Sequence, residues 1–393
     1  MAKLLRLTTV PVSLKILLRG QLSFMKQYFN VVGVSSPGPD LEMVNRLEGI
    51  QTLPIEMTRD ISLVKDLFAL WKLIRLFCKE KPQIVHTHTP KAGTLGMIAA
   101  CFCGIPIRLH TVAGLPLMEA TGPKRVILNT VEKITYACAT KVYPNSFGLK
   151  NFILQNNYCN ASKLKVIGNG SSNGIDTAHF APNTIDPVIK EQLVEVHGIT
   201  QDHFVFIFIG RMVTDKGINE LVQAFTKVHQ QYPHTRLLLV GNAEPELDPL
   251  LPETEQLIES HPAIITTGFQ SDVRPYLAIA NALVFPSYRE GFPNVPMQAG
   301  AMGLPAIVTD INGCNEIIQH EFNGLIIPSK DTNALVASMS RLIAEPNLTD
   351  SLAANARESI VSRFDRHILW NQIREEYEKQ LRIHGLLNAN LHQ

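Results

Sequence analysis

Two cations and two carboxylates stand in this sequence where they can converge on one ligand. In Gly210-Arg211-Met-Val-Thr-Asp-Lys216-Gly217, an arginine and a lysine five residues apart follow directly on an apolar run, Phe204 to Ile209. Arg grips two phosphate oxygens as a planar fork, and Lys adds a point charge. Further on, Phe285 to Glu316 reads strand, turn, helix, strand, turn, helix, and each turn is rich in Gly, Pro and Asn and carries one carboxylate, Glu290 and Glu316. Turns that leave a strand and open a helix present unpaired N–H groups at the positive end of the helix dipole, and anions bind there in open parallel sheets. Both features describe a seat for a diphosphate. The carboxylates have the wrong sign for phosphate and suit sugar hydroxyls, so the expected ligand is a nucleotide sugar.

The rest of the chain must hold these groups. At 393 residues it exceeds one compact core, and two domains of roughly 150–200 residues are expected. Apolar content of 45% with 18% charged residues describes a filled globular protein. The net charge of +1 conceals an asymmetry: residues 1–180 hold 21 Lys and Arg against 10 Asp and Glu, and the remainder holds 15 against 25. A basic first half fits an anionic partner such as a lipid headgroup, a lipid phosphate or nucleic acid. The six cysteines, Cys78, Cys101, Cys103, Cys138, Cys159 and Cys314, form no C-x-x-C pair and no zinc spacing, and read as small core residues in a reducing cytoplasm. Charges at Arg6, Lys15 and Arg19 interrupt any signal-like run, and no window offers 18 apolar residues for a membrane span.

Short apolar strands alternate with helices throughout, which predicts parallel, doubly wound sheets. In the first half, strands are expected at Leu4–Thr9, Asn30–Val34, Gln83–His86, Ile107–Thr111, Lys141–Tyr143 and Leu164–Ile167. Helices are expected at Leu14–Tyr28, Ile61–Lys79, Pro123–Thr140 and from Ser146. Ile61–Lys79 has apolar residues at helical spacing with Lys65, Lys72, Arg75 and Lys79 between them, suited to covering a sheet or to lying in a membrane surface. The glycine-rich Gly168–Asp176 and the polar run to about Ile199 read as the connection between domains, with glycines that suit a hinge. In the second half, strands are expected at 203–209, 236–240, 263–266, 282–285, 305–309 and 325–327, and three helices end the chain, around 331–344, 348–362 and 365–384. Trp370, Ile373 and Tyr377 lie on one side of the last.

Taken in succession, Gly210-Arg211-x4-Lys216-Gly217, Gly268-Phe269 with Asp272, Pro286-Ser287-x2-Glu290-Gly291-Phe292-Pro293, Ala299-x3-Gly303-x-Pro305 and Asn312-Gly313-x2-Glu316-Ile317 resemble the retaining glycosyltransferases of family 4. Pro82-Gln-Ile-Val-His-Thr-His88 and the Val166 to Phe180 segment extend the resemblance over nearly the whole chain, nearest to bacterial capsule and O-antigen enzymes. The resemblance implies an α/β GT-B fold, two Rossmann-like doubly wound domains facing across a cleft. Residues 1–180 would form the acceptor domain, 181–199 a linker, 200–365 the nucleotide-sugar domain, and 366–393 a helix crossing back. Arg211 and Lys216 would neutralise the departing diphosphate, Glu290 would bind donor-sugar hydroxyls, and His88 would contact the donor sugar. Gly210, Phe269, Gly291, Phe292, Pro293, Asn294, Gln298, Gly313 and Glu316 would complete the donor site, with base contacts from the backbone near Phe269, and Lys91 would meet the acceptor phosphate. His86 is expected on the opposite side of its strand from His88. No cofactor or metal is expected, since no D-x-D pair is present, and no nucleic acid partner.

Three departures from the family pattern stand out. Gln298 replaces the glutamate that typically holds the ribose, Ala113 stands where many relatives carry His, and no glycine-glycine loop follows Thr9. The expected activity is transfer of a hexose or N-acetylhexosamine from a UDP-sugar to a polyprenyl-diphosphate-linked saccharide, in the cytoplasm or on the inner membrane surface, with retention by front-face displacement. An epimerase of the same fold and a catalytically silent nucleotide-sugar binder are the alternatives. A dehydrogenase is disfavoured, because no G-x-G-x-x-G follows a predicted strand.

Overall fold

The computed structural model describes residues 1–387 apart from Arg59, Ile61, Pro116, Met118 and Glu119. Two compact units result, Met1–Gly174 with the C-terminal segment from Arg366, and Ile175–Asp365. Among the described residues each unit is built on a six-stranded, all-parallel sheet.

The first sheet has the order β3-β2-β1-β4-β5-β6, from β1 (Lys3–Leu7), β2 (Asn30–Ser35), β3 (Gln51–Pro54), β4 (Ile84–Thr87), β5 (Ile107–Val112) and β6 (Lys141–Pro144). Helices α1 (Pro11–Leu17), α2 (Gln21–Lys26), α3 (Pro39–Glu48), α4 (Leu63–Glu80), α5 (Pro90–Phe102), α6 (Gly122–Cys138) and α7 (Phe147–Gln155) flank it. Successive strand residues point to opposite faces, and the two cores sort accordingly. Leu5 and Leu7 join Ala69, Leu73 and Phe77 of α4 on one face, while Leu4 joins Leu14, Leu22 and Val44 on the other. Arg6 shares the second face with Leu4 and is fully buried there. The last helix, Arg366–Ile383, packs on the same face through Trp370, Ile373, Tyr377 and Leu381.

The second sheet runs β12-β11-β10-β7-β8-β9, from β7 (Phe204–Ile209), β8 (Thr235–Val240), β9 (Ile264–Gly268), β10 (Ala282–Phe285), β11 (Ala306–Thr309) and β12 (Gly324–Ile327). Its helices are α8 (Pro187–Val196), α9 (Ile218–Gln231), α10 (Pro252–Ser260), α11 (Arg274–Leu277), α12 (Asn294–Ala301), α13 (Cys314–Ile317), α14 (Thr332–Ala344) and α15 (Pro346–Phe364); the C-terminal helix of the first unit is α16. In both sheets the strand order reverses beside the first strand, at β1/β4 and at β7/β10. Chains leaving these two neighbours depart to opposite sides and open a crevice at the strand C-termini. The predicted cations follow β7, and Glu290 follows β10.

Several expectations are corrected. Leu14–Tyr28 is two helices, broken between Leu17 and Gln21. Leu164–Ile167 makes one isolated bridge, Leu164 to Val142, and is no strand. α3 and β3 are not among the expected elements: Pro39-Asp-Leu-Glu gives a helix start through proline and early acids, while β3 is an edge strand with little apolar signal. Residues 181–199, expected as a linker, contain α8, which packs on α11 within the second unit. The helix expected from Ile61 begins at Leu63, Ile61 itself lying outside the described residues, as do residues 388–393. Of the cysteines expected in the core, Cys314 is buried, but Cys78 and Cys101 are exposed, on the outer sides of α4 and α5. Among the described residues no helix is long and apolar enough to cross a membrane.

Candidate active site

In the second unit, five turns meet at the C-terminal edge of the sheet. Gly210 N–H donates to the Val240 carbonyl, Met212 N–H to Asn242 O, and Gly241 N–H to Gly268 O, which ties the turns after β7, β8 and β9 together. The turn after β7 ends at Gly217, whose φ is +72° and where a Cβ would come within 2.2 Å of the Pro286 carbonyl. Only glycine permits that approach. Gly313, with φ of +78°, lies as close to the next turn, since a Cβ there would meet Gly291 O at 2.7 Å. Asn312 clamps the same contact by donating to the carbonyls of Glu290 (3.2 Å) and Gly291 (2.5 Å).

This packing brings Lys216 and Glu290 into contact. Lys216 Nζ lies 2.5 Å from Glu290 Oε1, with the side chains 17% and 16% exposed. Ser287, in the first turn residues after β10, donates its hydroxyl to the same carboxylate at 3.1 Å, and Thr309 at the end of β11 donates to the Ser287 carbonyl at 2.5 Å. The carboxylate therefore sits fixed between a cation and a hydroxyl. The buried Cys314 thiol, at the start of α13, registers both charges: burial raises its pKa well above the usual value, the Glu290 carboxylate adds to the rise, and Lys216 opposes it. Arg211 is exposed on the neighbouring turn, where it pairs with Glu244 at 3.0 Å.

The remaining predicted donor residues fall along the same edge. Gly291 and Phe292 are half-buried, Pro293 is buried, and the exposed Asn294 is the first residue of α12. Gln298, one turn into α12, is half-buried, and its amide has no hydrogen-bond partner among the described residues. Phe269 is 73% exposed, and its N–H donates to Asn242 Oδ1 at 2.9 Å, which fixes the backbone there. Glu316 lies in α13, a single turn, whose short run of peptides gives little dipole, so the second helix N-terminus expected beside the diphosphate is slight. Arg289 pairs with Asp215 at 2.7 Å, and the Tyr288 hydroxyl donates to both carboxylate oxygens of Glu220 at 2.7 Å. These bonds lock the turn after β10 onto the start of α9.

In the first unit, His88 follows β4 at the corresponding crevice, and its surroundings are specific. Arg6 Nε donates to His88 Nε2 at 2.9 Å, which places the imidazole proton on Nδ1, and the guanidinium also donates to Gln21 Oε1. His86 is hydrogen-bonded to the Tyr377 hydroxyl at 2.5 Å and to Thr111 Oγ1 at 2.7 Å. The expectation that His86 points away from His88 is overturned: residues two apart on a strand share a face, and the rings are 4.1 Å apart. Burial holds both imidazoles well below the usual pKa; Arg6 adds to this for His86, and His86 then Arg6 for His88. Both are neutral at neutral pH. Lys91, expected to meet the acceptor phosphate, bonds both carboxylate oxygens of Asp66 at 2.7 and 2.9 Å and fastens α5 to α4.

Sequence reasoning passed over Ser287 as a support for Glu290, Glu244 as partner of Arg211, and Arg6. Each left a trace. Ser287 and Glu290 are separated by two residues in one turn, Glu244 is a carboxylate in the turn after an apolar strand, and Arg6 is a lone charge in Leu-Leu-Arg-Leu.

Comparison with known proteins agrees with this geometry. The family model described as Glycosyl transferases group 1 matches residues 189–359, and Glycosyl transferase 4-like matches residues 16–146. The chain is 35% identical to a capsular polysaccharide biosynthesis glycosyltransferase, CapM, of Staphylococcus aureus, over 97% of this chain and 98% of that one. It is 30% identical to a UDP-Gal:α-D-GlcNAc-diphosphoundecaprenol α-1,3-galactosyltransferase of Escherichia coli, over 79% and 78%. Anabaena HepE in complex with UDP superposes with a TM-score of 0.80 at 20% identity, covering 96% of this chain and all of that one. With a crevice at the reversal point of each sheet and matches spanning both units, the chain belongs to the family 4 glycosyltransferases and carries their GT-B fold.

Proposed function

We propose that this enzyme transfers a hexose or N-acetylhexosamine from a UDP-sugar, with retention of anomeric configuration, to a saccharide carried on polyprenyl diphosphate during capsule or O-antigen assembly. The observation that carries the reading is the Lys216–Glu290 contact. One pair of touching side chains addresses both halves of a nucleotide sugar, the ammonium facing the diphosphate and the carboxylate the sugar hydroxyls. Support for the substrate class comes from relatives: the E. coli enzyme is named for a UDP-Gal donor and a diphosphoundecaprenol-linked acceptor, and a Campylobacter jejuni relative, 25% identical over 347 residues, for a diphospho-undecaprenol acceptor.

In the reaction, the bond from the sugar C1 to the diphosphate oxygen breaks, and a bond from C1 to the acceptor hydroxyl oxygen forms on the same face. The acceptor proton passes to the departing phosphate oxygen. Lys216 and Arg211 stabilise the charge that develops on the leaving diphosphate, so no metal step is invoked, and this is electrostatic stabilisation combined with positioning. Glu290, held by Ser287, keeps the sugar in place while C1 becomes cationic. Arg211 exchanges Glu244 for the diphosphate; an exposed pair of this kind is worth only about 0–1 kcal/mol and yields readily to a ligand of higher charge.

An acceptor on a lipid requires access to a membrane surface. α4 offers one: Leu63, Val64, Leu67, Phe68 and Trp71 are exposed along it, with Lys65, Lys72, Arg75 and Lys79 beside them, while Ala69, Leu73 and Phe77 pack on the sheet. Apolar side chains flanked by cations on a unit of net positive charge suit an anionic bilayer surface.

The test is a mass-spectrometric screen of UDP-, GDP- and ADP-sugars against polyprenyl-diphosphate-linked acceptors. A product heavier than the acceptor by one hexose or N-acetylhexosamine, formed from a UDP donor, is expected. Epimerised free UDP-sugar without transfer, or no turnover of any donor, would overturn the reading.

A further inference from the structure

Of the buried polar atoms in the first unit that have no hydrogen-bond partner, two belong to residues that line one cavity. One is Nη1 of Arg6, a fully buried side chain whose Nε and Nη2 are taken by His88 and Gln21. The other is Oδ1 of Asn145, 5% exposed, the residue that follows β6. The Asn145 backbone N–H donates to Val112 O, and its Nδ2 reaches Ala113 O and Ser172 Oγ at 3.4 Å, so the backbone fixes the residue while the amide oxygen stays unused. The cavity measures about 20 Å³ and is walled also by His86, His88, Thr111 and Ser171. That volume admits one oxygen-sized group.

The chemistry of the two atoms selects what that group is. Arg6 supplies a donor and Asn145 an acceptor, so the complement is a group that accepts and donates at once. A hydroxyl does both. A phosphate or carboxylate oxygen would face the Asn145 carbonyl with no proton to give, and an ammonium would face the guanidinium. We propose that this cavity is a subsite for one hydroxyl of the acceptor saccharide, which accepts from Arg6 and donates to Asn145. The same guanidinium holds His88, so the sugar hydroxyl and the imidazole are oriented by one buried cation. The inference rests on the reading of the protein as a sugar transferase and names the groups that recognise its acceptor.

Binding to the full-length protein tests it without any donor or turnover, so its failure is separate from failure of the transfer assay. Methyl glycosides of galactose, glucose and N-acetylglucosamine, and their monodeoxy analogues, are titrated by saturation-transfer NMR against the wild type and Asn145→Leu, with UDP titrated in parallel. The expected result is that one glycoside binds the wild type, that one of its monodeoxy analogues binds about 10-fold more weakly, and that Asn145→Leu lowers the parent to the level of that analogue with no further loss for the analogue itself. UDP affinity stays unchanged. Asn145→Val, which removes the same acceptor with a smaller side chain, gives the same loss and serves if the leucine variant does not fold. The proposal is overturned if no glycoside binds the wild type, if glycosides bind the variants as they bind the wild type, which marks a site for structural water only, if deoxygenation and mutation weaken binding additively, or if UDP affinity falls instead, which marks a donor contact.

Discussion

Replacing Lys216 with Met keeps the length of the side chain and removes its charge, and the effect can be worked from its surroundings. The ammonium lies 2.5 Å from Glu290 Oε1, in a pair whose side chains are 17% and 16% exposed. A unit charge about 4 Å from another in a partly buried site, at an effective dielectric constant of about 20, contributes about 4 kcal/mol. That is close to the roughly 3–4 kcal/mol lost when one donor aimed at a developing oxyanion is removed. At about 1.4 kcal/mol per decade, kcat is expected to fall by about 10²–10³. The donor KM rises as well, because the diphosphate is already anionic before the bond breaks and Glu290 is left as an uncompensated anion beside it. Pairing the substitution with Glu290→Gln removes both charges. The double variant should melt above the single one, since a partly buried carboxylate left without its partner costs about 1–3 kcal/mol. Nucleotide release at saturating donor gives kcat, and calorimetric melting gives stability. A single variant within threefold of wild-type kcat, or single and double variants that melt together, would refute the assignment of Lys216 as the diphosphate cation held by Glu290.

Other outcomes follow from the same structure. Glu244→Gln frees Arg211 from its exposed pair, so UDP should bind about 2–5-fold tighter at low salt, a gain of up to about 1 kcal/mol that shrinks as salt shortens the screening length; weaker binding at every salt concentration would place Arg211 elsewhere. Gln298→Glu disturbs no internal hydrogen bond and gives the ribose a charged acceptor, so calorimetry should show UDP binding tightened by about 1 kcal/mol; no gain would remove the ribose contact. Stability should fall with pH below the ordinary histidine value. Burial lowers His110 to about 4 and holds His86 and His88 well below 6.5, so unfolded imidazoles bind protons that folded ones refuse. Stability from this source is complete above about pH 6.5 and is lost as pH drops toward the folded values, by about 3 kcal/mol for His110 alone; melting temperatures equal at pH 7.5 and 4.5 would contradict the buried neutral imidazoles. Leu67→Glu with Phe68→Glu should abolish co-flotation with vesicles containing anionic lipid while leaving the thermal midpoint within about 2 °C, both side chains being exposed; retained flotation would exclude α4 as the membrane face.

Much of this protein was legible before folding, because its determinants are local. Apolar strands such as Phe204–Ile209, followed at once by Gly-Arg or by Pro-Ser, announce parallel β-α units. Period-2 and period-3.6 patterns placed every strand of the second sheet to within about two residues. The recurring turn chemistry pointed to the family, and the fold brings Lys216 and Glu290 of two of those turns into contact. Errors gathered where the signal was weak or its meaning non-local: an edge strand with little apolar contrast, Gln51–Pro54, and a single apolar stretch, Leu14–Tyr28, that the fold divides in two.

Pairing was decided by tertiary structure alone. Nothing adjacent to Lys216 in the chain shows that it rests on Glu290, that Arg211 is occupied by Glu244, or that Lys91 is consumed by Asp66. A charged side chain takes whichever opposite charge the crossing of turns and helices brings within about 4 Å, and those crossings are set by strand order. Arg6 shows this most fully. In sequence it is an interruption of an apolar strand, and in the fold it is a buried cation between His88 and Gln21. Its environment comes from β4 and α2, beside a wall that includes α16 from the far end of the chain, and no local pattern encodes such a meeting.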